Sequence, residues 1–135
     1  DCCLYRLKLP IELRSIIYRY YRMPIDNSNI HQAVTMWCQL KQRAWCKYGH
    51  ISTWDTSQVT KMSYLFLNAL EKFNDDINDW DVSNVITMEG MFFSATTFNQ
   101  PLNRWDTRQV KTMKYMFDNA IAFNQSIHLT SWLSP

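Results

Sequence analysis

Apolar and polar positions recur along the second half of the chain with a period of about 25 residues. Three segments begin with Trp-Asp, at Trp54, Trp80 and Trp105, so that their starts lie 26 and then 25 residues apart. The additional residue of the first copy falls between Ala69 and Phe73, and an insertion confined to one connection marks a loop. A unit of this length is too short to enclose a core of its own. Each copy is therefore expected to bury its apolar side chains against the next copy.

Eight apolar columns hold in all three copies. They are Trp54/Trp80/Trp105, Val59/Val85/Val110, Met62/Met88/Met113, Leu65/Met91/Met116, Phe66/Phe92/Phe117, Ala69/Ala95/Ala120, Phe73/Phe98/Phe123 and Ile77/Leu102/Ile127. A strand spacing of ~4.8 Å places like side chains over like and predicts ladders of Trp, Met and Phe. In the first copy, the pattern predicts a short strand over Gln58 to Met62 and a helical turn over Ser63–Ala69.

Two polar columns accompany the apolar ones. An aspartate follows each tryptophan, at Asp55, Asp81 and Asp106. An asparagine follows each phenylalanine of the seventh column, at Asn74, Asn99 and Asn124. A short carboxylate in this position accepts backbone N–H bonds and fixes a turn, and a repeated Asn amide satisfies turn backbone. We therefore expect these columns to serve the turn that every copy makes, and not an acid–base pair.

These repeats resemble the BspA-type leucine-rich repeat, also called the mycoplasma lipoprotein-associated repeat. Its pattern, Trp-Asp-x-Ser-x-Val-x-x-Met-x-x-Met-Phe followed by Ala and Phe-Asn-Gln, is met by WDVSNVITMEGMF and ATTFNQ of the second copy. The resemblance covers about 51–128, with departures at Arg108 in the Ser column, Leu65 at the second Met, Asp75 at the Gln and Thr130 where a fourth Trp is due. It implies an α/β solenoid, a short array of about three coils with a helical N-terminal cap.

Residues 1–50 precede the repeats and predict two helices. The first lies within 9–22, with Pro10 near its start, and the second runs from Ser28 or Asn29 to Tyr48 with Gly49 as its stop. We interpret 1–50 as a helical cap on the open edge of the first coil and 51–135 as the coils, in one continuous structural domain. Alternatively, LPIELRSII over 9–17 resembles the opening of an F-box, a helical module that docks onto an adaptor of ubiquitin ligases.

Composition and charge exclude several classes of protein. A chain of 135 residues with 47% hydrophobic and 19% charged residues fits one folded domain and not a disordered segment. Only 2 glycines leave little material for phosphate-binding loops. A net charge of +2 does not predict a nucleic-acid partner, yet residues 1–50 carry eight Lys/Arg against three acids and 51–135 six against nine. A basic head of this kind suits docking on an acidic surface.

Metal-binding and catalytic patterns are weak. Cys46 and His50 lie four residues apart, but no C-x-x-C pair accompanies them, and we expect buried, reduced thiols as inside cells. We expect no enzyme activity, no cofactor and no metal. No stretch approaches the ~18 apolar residues of a membrane span. Because the chain begins with Asp, removal of an upstream targeting segment stays open.

Columns that vary between copies indicate where a partner binds. The candidate contact residues are Lys61, Tyr64, Leu67, Ile86, Phe93, Lys111 and Tyr115, and a groove capped within the same monomer would explain them equally well. We expect a non-enzymatic protein–protein interaction or scaffold subunit in a larger eukaryotic or viral assembly, intracellular or inside that assembly. The alternatives are an F-box-like substrate adaptor and, because BspA-type repeats resemble parts of bacterial surface proteins, a cell-surface adhesion protein.

Overall fold

Two short helices with defined bounds precede the repeats in the described part of the chain. The computed structural model describes residues 10, 12, 13, 16, 22–67, 69 and 72–127. Helix α1 spans Ile30–Gln39, helix α2 spans Lys41–Tyr48, and a 3-10 turn spans Ile51–Thr53. The second helix predicted from sequence is therefore wrong as one continuous element, because the backbone leaves the helical region at Leu40, with φ −135° and ψ 55°. Gly49, with φ 83°, ends α2 at the predicted position.

The first helix predicted from sequence falls largely on residues that the structure does not describe. Of the segment 9–21, it describes Pro10, Glu12, Leu13 and Ile16, and the last three of these are helical. The remainder of that helix, and with it the F-box resemblance, lies outside the described residues.

The three copies stack in register, and we call them windings 1, 2 and 3, starting at Trp54, Trp80 and Trp105. The Met62 N–H donates to the Thr87 carbonyl at 2.9 Å. In the same way, winding 2 donates to winding 3 from Met88 N–H to the Thr112 carbonyl at 3.0 Å. The rings of equivalent phenylalanines lie nearly parallel, with Phe66 and Phe92 at 5.1 Å and 4°, and Phe92 and Phe117 at 5.5 Å and 5°.

The prediction of an α/β solenoid is wrong. The described residues contain no β-strand and no sheet, and the parallel pairing consists of isolated bridges from Lys61 to Thr87 and from Thr87 to Thr112. Within the described parts of the windings there is no helix either. The strand predicted over Gln58 to Met62 and the helical turn predicted over Ser63–Ala69 are replaced by turns and single bridges.

The backbone angles explain why the predicted helical turn does not form. The equivalent residues Tyr64, Gly90 and Tyr115 have φ of 53°, 56° and 58°, and four residues later Ser94 and Asn119 have φ of 57° and 58°. A residue in the left-handed region ends both an extended strand and a right-handed helix. Windings 2 and 3 each contain two such residues, and the described windings are paired by single bridges.

The hydrophobic core runs without a break from α1 through the windings. Its largest fully buried side chains include Trp37 of α1 and Phe66, Phe92 and Phe98 of the windings. In winding 3 the equivalent side chains are only half-buried, namely Met113, Phe117 and Phe123. Three apolar columns are therefore less buried in winding 3 than in windings 1 and 2.

Residues 22–50, the continuously described part of the segment that precedes the windings and that we call the head, contact winding 1 through side chains. In windings 2 and 3, the equivalent contacts are made by the backbone of the preceding winding. Asn27 Oδ1 accepts the N–H groups of Thr60 at 2.9 Å and Lys61 at 3.2 Å, and the Asn27 amide nitrogen donates to Thr60 Oγ1 at 2.9 Å. The equivalent N–H in winding 2, that of Ile86, donates to the Thr60 carbonyl at 2.8 Å. His31 Nε2 lies 3.0 Å from the Ser63 carbonyl. The head thus satisfies backbone groups at the edge of the first winding.

Candidate interaction surface

The tryptophan column faces inward and connects each winding to the chain before it. Trp54, Trp80 and Trp105 are 4%, 2% and 4% exposed. The indole Nε1 of Trp80 donates to the Ile51 carbonyl at 2.8 Å, and that of Trp105 donates to the Ile77 carbonyl at 3.1 Å. Trp54 has no earlier winding, and its indole donates to the Gly49 carbonyl at 3.0 Å. This column is unavailable to a partner.

The asparagine column joins one winding to the next. Asn74 Oδ1 accepts the N–H of Asn99 at 2.8 Å, and Asn99 Oδ1 accepts the N–H of Asn124 at 3.1 Å. The side-chain amide therefore satisfies turn backbone in the following copy, and this transfers the register from winding to winding.

The aspartate column closes the turn after each tryptophan. Asp55 Oδ1 accepts the Ser57 N–H at 3.0 Å, Asp81 Oδ1 accepts the Ser83 N–H at 3.0 Å, and Asp106 Oδ1 accepts the Arg108 N–H at 3.2 Å. Hydrogen bonds from the Ser57 hydroxyl and N–H lower the pKa of Asp55, and the Arg108 side chain lowers the pKa of Asp106 to about 2. Asp55 and Asp106 are therefore ionised turn residues at neutral pH, which makes them unsuitable as general acids.

The candidate contact residues lie mostly on the outside of the windings. Large apolar side chains stay exposed there, with Tyr64 and Leu67 at 39%, Ile86 at 40% and Tyr115 at 61%. Lys61 and Lys111 are exposed as well, whereas Phe93 is half-buried. Neighbouring windings bring several of them together, since the Lys111 N–H donates to the Ile86 carbonyl at 2.7 Å and Lys61 pairs with Thr87.

Tyr64 organises the middle of this surface. Its ring lies across Gly90, where an added Cβ would overlap the ring, and its centroid is 6.5 Å from that of Phe93. Its hydroxyl donates to Glu89 Oε1 at 3.2 Å. Partial burial and the neighbouring Glu89 raise the pKa of Tyr64, so that the phenol stays protonated and donates. The sequence analysis did not predict that Gly90 leaves room for the Tyr64 ring. The available signal was a glycine in a column that otherwise contains tyrosine.

We define the basic strip as residues 60–64 with their equivalents 86–90 and 111–115. It contains the exposed lysines Lys61, Lys111 and Lys114, and its only acidic residue is Glu89, which the Tyr64 hydroxyl contacts. In the part of the chain that the structure describes, none of these three lysines is in an ion pair. Residues 51–135 hold six basic and nine acidic residues. The strip therefore contains three of the six basic residues but only one of the nine acidic residues.

Asp75 departs from the repeat pattern because it contacts the head. Its carboxylate accepts the Trp37 indole N–H at 2.9 Å and the Lys41 ammonium at 2.9 Å. In winding 3 the equivalent residue, Gln125, donates instead to Asn99 Oδ1 of the preceding winding at 2.9 Å. No winding precedes winding 1, so a side-chain amide at this position would have no asparagine to bond to. Asp75 stands in place of the glutamine and pairs with the head instead.

A cleft of about 190 Å³ lies beside this contact. It is lined by Trp37, Cys38, Lys41, Ala69, Lys72, Phe73 and Asp75. Ligand pockets usually enclose ~300–1,000 Å³, so the cleft is small for an organic ligand. Burial, together with the negative charge of Asp75, raises the pKa of the Cys38 thiol to about 11, which leaves it protonated and unreactive at neutral pH.

Cys46 is disulfide-bonded, so the expectation of reduced thiols is wrong for this residue. Cys38 is free. Over the described ranges, no group of three or more His, Cys, Asp or Glu side chains is placed to hold a metal ion.

No helix in the described part of the chain has the length and apolar character needed to cross a membrane.

Comparison with known proteins identifies a family. No curated protein and no solved structure matches the chain. The sequence model of the family described as "Mycoplasma protein of unknown function, DUF285" matches residues 22–134, which include all three windings and both helices with defined bounds. The match covers well over half of the sequence, and the chain therefore belongs to the DUF285 family.

Proposed function

We propose that this protein is a non-enzymatic interaction or scaffold subunit that holds a protein partner on the outer surface of its windings. The observation that carries the proposal is the contrast between two sets of apolar columns. In windings 1 and 2 the inner columns are buried to within a few per cent, whereas Ile86 of winding 2 is 40% exposed and Tyr115 of winding 3 is 61% exposed. Exposed apolar side chains grouped on a rigid support are typical of protein-binding surfaces.

The rigidity of the support favours recognition over chemistry. The backbone under several outward side chains hydrogen-bonds to a neighbouring winding, as between the Ile86 carbonyl and the Lys111 N–H. A preformed surface loses little conformational entropy when a partner binds. We further infer that the windings are repeats of the BspA type and that the partner belongs to a larger eukaryotic or viral assembly, an inference that rests on resemblance.

Affinity capture with matched surface variants tests the proposal. The immobilised chain, its Ile86→Asp variant and its Tyr115→Asp variant are each incubated with a lysate of the native source, and bound proteins are identified by mass spectrometry. Ile121→Asp is the control, because Ile121 is 78% exposed and lies outside the basic strip. We expect at least one protein to be retained by the wild type and the control and lost from both strip variants. Identical sets of bound proteins would place any partner elsewhere.

Cell-surface adhesion is a second candidate, favoured by the disulfide at Cys46. Disulfides persist mainly in oxidising compartments such as the cell surface. Labelling intact cells of the source with a membrane-impermeant biotin reagent discriminates the two locations. Recovery of the protein in the labelled fraction supports adhesion, and its recovery only after lysis supports the internal scaffold.

A further inference from the structure

We infer that the basic strip binds an acidic peptide segment of the partner, one that carries at least one large apolar side chain. This inference deepens the proposed function and rests on it. Lys61, Lys111 and Lys114 supply the positive charge, and Ile86 and Tyr115 supply the apolar contact.

The distribution of charge on the windings favours an acidic partner. The windings are acidic on balance, yet the strip is basic, because three of its exposed residues are lysines and its single carboxylate is hydrogen-bonded by Tyr64. Elsewhere on the windings, both exposed arginines are paired, Arg104 with Asp79 and Arg108 with Asp106, whereas Lys72 is in no ion pair with a described residue. The strip lysines have no such partner among the described residues. An acidic segment would complete these pairs and is attracted at long range.

The apolar residues distinguish a peptide from a purely anionic ligand. Ile86 lies between Thr60 and Lys111 in one column, with its N–H donating to the Thr60 carbonyl and its carbonyl accepting the Lys111 N–H. An exposed aliphatic side chain next to a lysine offers little to a phosphate backbone, whereas an acidic peptide with alternating apolar residues contacts both. Tyr115, at 61% exposure, adds a broad aromatic face in the same winding as Lys111 and Lys114.

The basic strip begins next to the head. Asn27 bonds to Thr60 and to the Lys61 N–H, and His31 bonds to the Ser63 carbonyl, so the head borders the strip at winding 1. The side chains of Lys61 and Tyr64 stay exposed there. Windings spaced by ~4.8 Å place the three copies of the strip within the length of a few extended residues. A short segment is therefore sufficient to reach from Lys61 to Lys111.

Fluorescence anisotropy with defined probes tests this inference on the full chain. The probe is a short fluorescein-labelled peptide in which Glu alternates with Leu, and the control peptide has Lys in place of Glu. We expect the acidic peptide to bind, the basic peptide not to bind, and the affinity of the acidic peptide to fall as salt is raised. Failure of the acidic peptide to bind at low salt overturns the inference.

Charge reversal locates the binding site. The double variant Lys111→Glu/Lys114→Glu is compared with Lys72→Glu/Arg104→Glu, which makes the same change in net charge at exposed residues outside the strip. We expect the strip variant to lose about tenfold or more in affinity and the control to lose less than about threefold. Ile86→Ser is expected to weaken binding without changing its salt dependence. Equal losses in the two double variants would show a nonspecific charge effect and contradict the inference.

Two further probes separate other anionic partners. A fluorescein-labelled oligothymidylate and vesicles of phosphatidylserine and phosphatidylcholine are titrated under the same conditions. Tighter binding of either, reduced by Lys111→Glu/Lys114→Glu, assigns the strip to nucleic acid or to membrane and overturns the peptide inference. If affinity capture still depends on Ile86 and Tyr115 while the acidic peptide does not bind, the proposed function stands and only this inference fails.

Discussion

Windings 2 and 3 contain the same apolar columns but bury them to different extents. In winding 2, Met88, Phe92 and Phe98 are completely buried, whereas their equivalents in winding 3 are half-buried. The tryptophans differ little, since Trp80 is 2% and Trp105 is 4% exposed. The comparison indicates that the columns of Met88, Phe92 and Phe98 depend on a following winding for complete burial, while the Trp column is covered by residues of its own and the preceding winding.

The largest expected effect is common to both windings. Trp80→Ala and Trp105→Ala should each lower the free energy of unfolding by about 3–5 kcal/mol, because each removes a large buried ring and leaves a buried carbonyl, that of Ile51 or Ile77, without its indole donor. Urea unfolding followed by circular dichroism measures the two losses. A loss at Trp105 much smaller than that at Trp80 would mean that the tryptophans also depend on the following winding.

Substitutions in the phenylalanine column should destabilise windings 2 and 3 to different extents. Phe92 stacks on Phe66 at 5.1 Å, on Phe98 at 4.2 Å and on Phe117 at 5.5 Å, whereas Phe117 is half-buried. We expect Phe92→Ala to lower the free energy of unfolding by about 3–5 kcal/mol. The loss for Phe117→Ala should be smaller than the loss for Phe92→Ala by about 1–2 kcal/mol. The same urea unfolding measurement applies. Equal costs would remove the proposed dependence of burial on neighbouring windings.

Winding 1 extends the comparison, because the head is its neighbour. Asp75→Gln restores the residue of windings 2 and 3 but removes the ion pair with Lys41 and weakens the bond to the Trp37 indole. We expect a loss of about 1–2 kcal/mol in the free energy of unfolding, measured by urea unfolding. Lys41→Gln removes only the ion pair, with Lys41 54% exposed, and should cost less. An unchanged stability of Asp75→Gln would show that the head does not depend on this contact.

The smallest effect concerns the turn of winding 3. Arg108 stands where windings 1 and 2 have Ser, and its guanidinium lowers the pKa of Asp106 to about 2. Because the pKa is lowered in the folded state, the stabilisation is present above the ordinary value near 3.8 and is lost as the pH falls towards 2. Arg108→Ser should move the carboxyl titration of Asp106, followed by carbon NMR, to higher pH. An unchanged midpoint would contradict the assigned cause.

The sequence predicts the register of this molecule better than its secondary structure. The column of Trp54, Trp80 and Trp105 follows from spacing alone, since equivalent side chains at a constant interval pack on one another. The helical turn was wrong because the left-handed backbone at Tyr64 cannot be recognised from tyrosine, a residue that seldom adopts it. The strand was wrong because Lys61 forms only an isolated bridge with Thr87. The break at Leu40 carries no proline or glycine signal either.

The sequence predicts which positions of the candidate surface point outward, but not the contacts that these positions make between windings. Variation between copies identifies outward positions such as Ile86, but it does not show that Tyr64 lies over Gly90 or that the Glu89 carboxylate is engaged. Such contacts join different windings and depend on the turn geometry. Whether the surface binds a partner stays a prediction.

The Asn27 amide determines where this architecture can be lengthened. Because it already occupies the N–H groups of Thr60 and Lys61, a unit added upstream of Trp54 would have to displace the head. A unit duplicated from residues 80–104 and inserted before Trp105 would instead meet, on either side, the neighbours for which its columns are shaped. Longer designed versions with a larger outer surface should therefore be built by internal duplication, with both termini left unchanged.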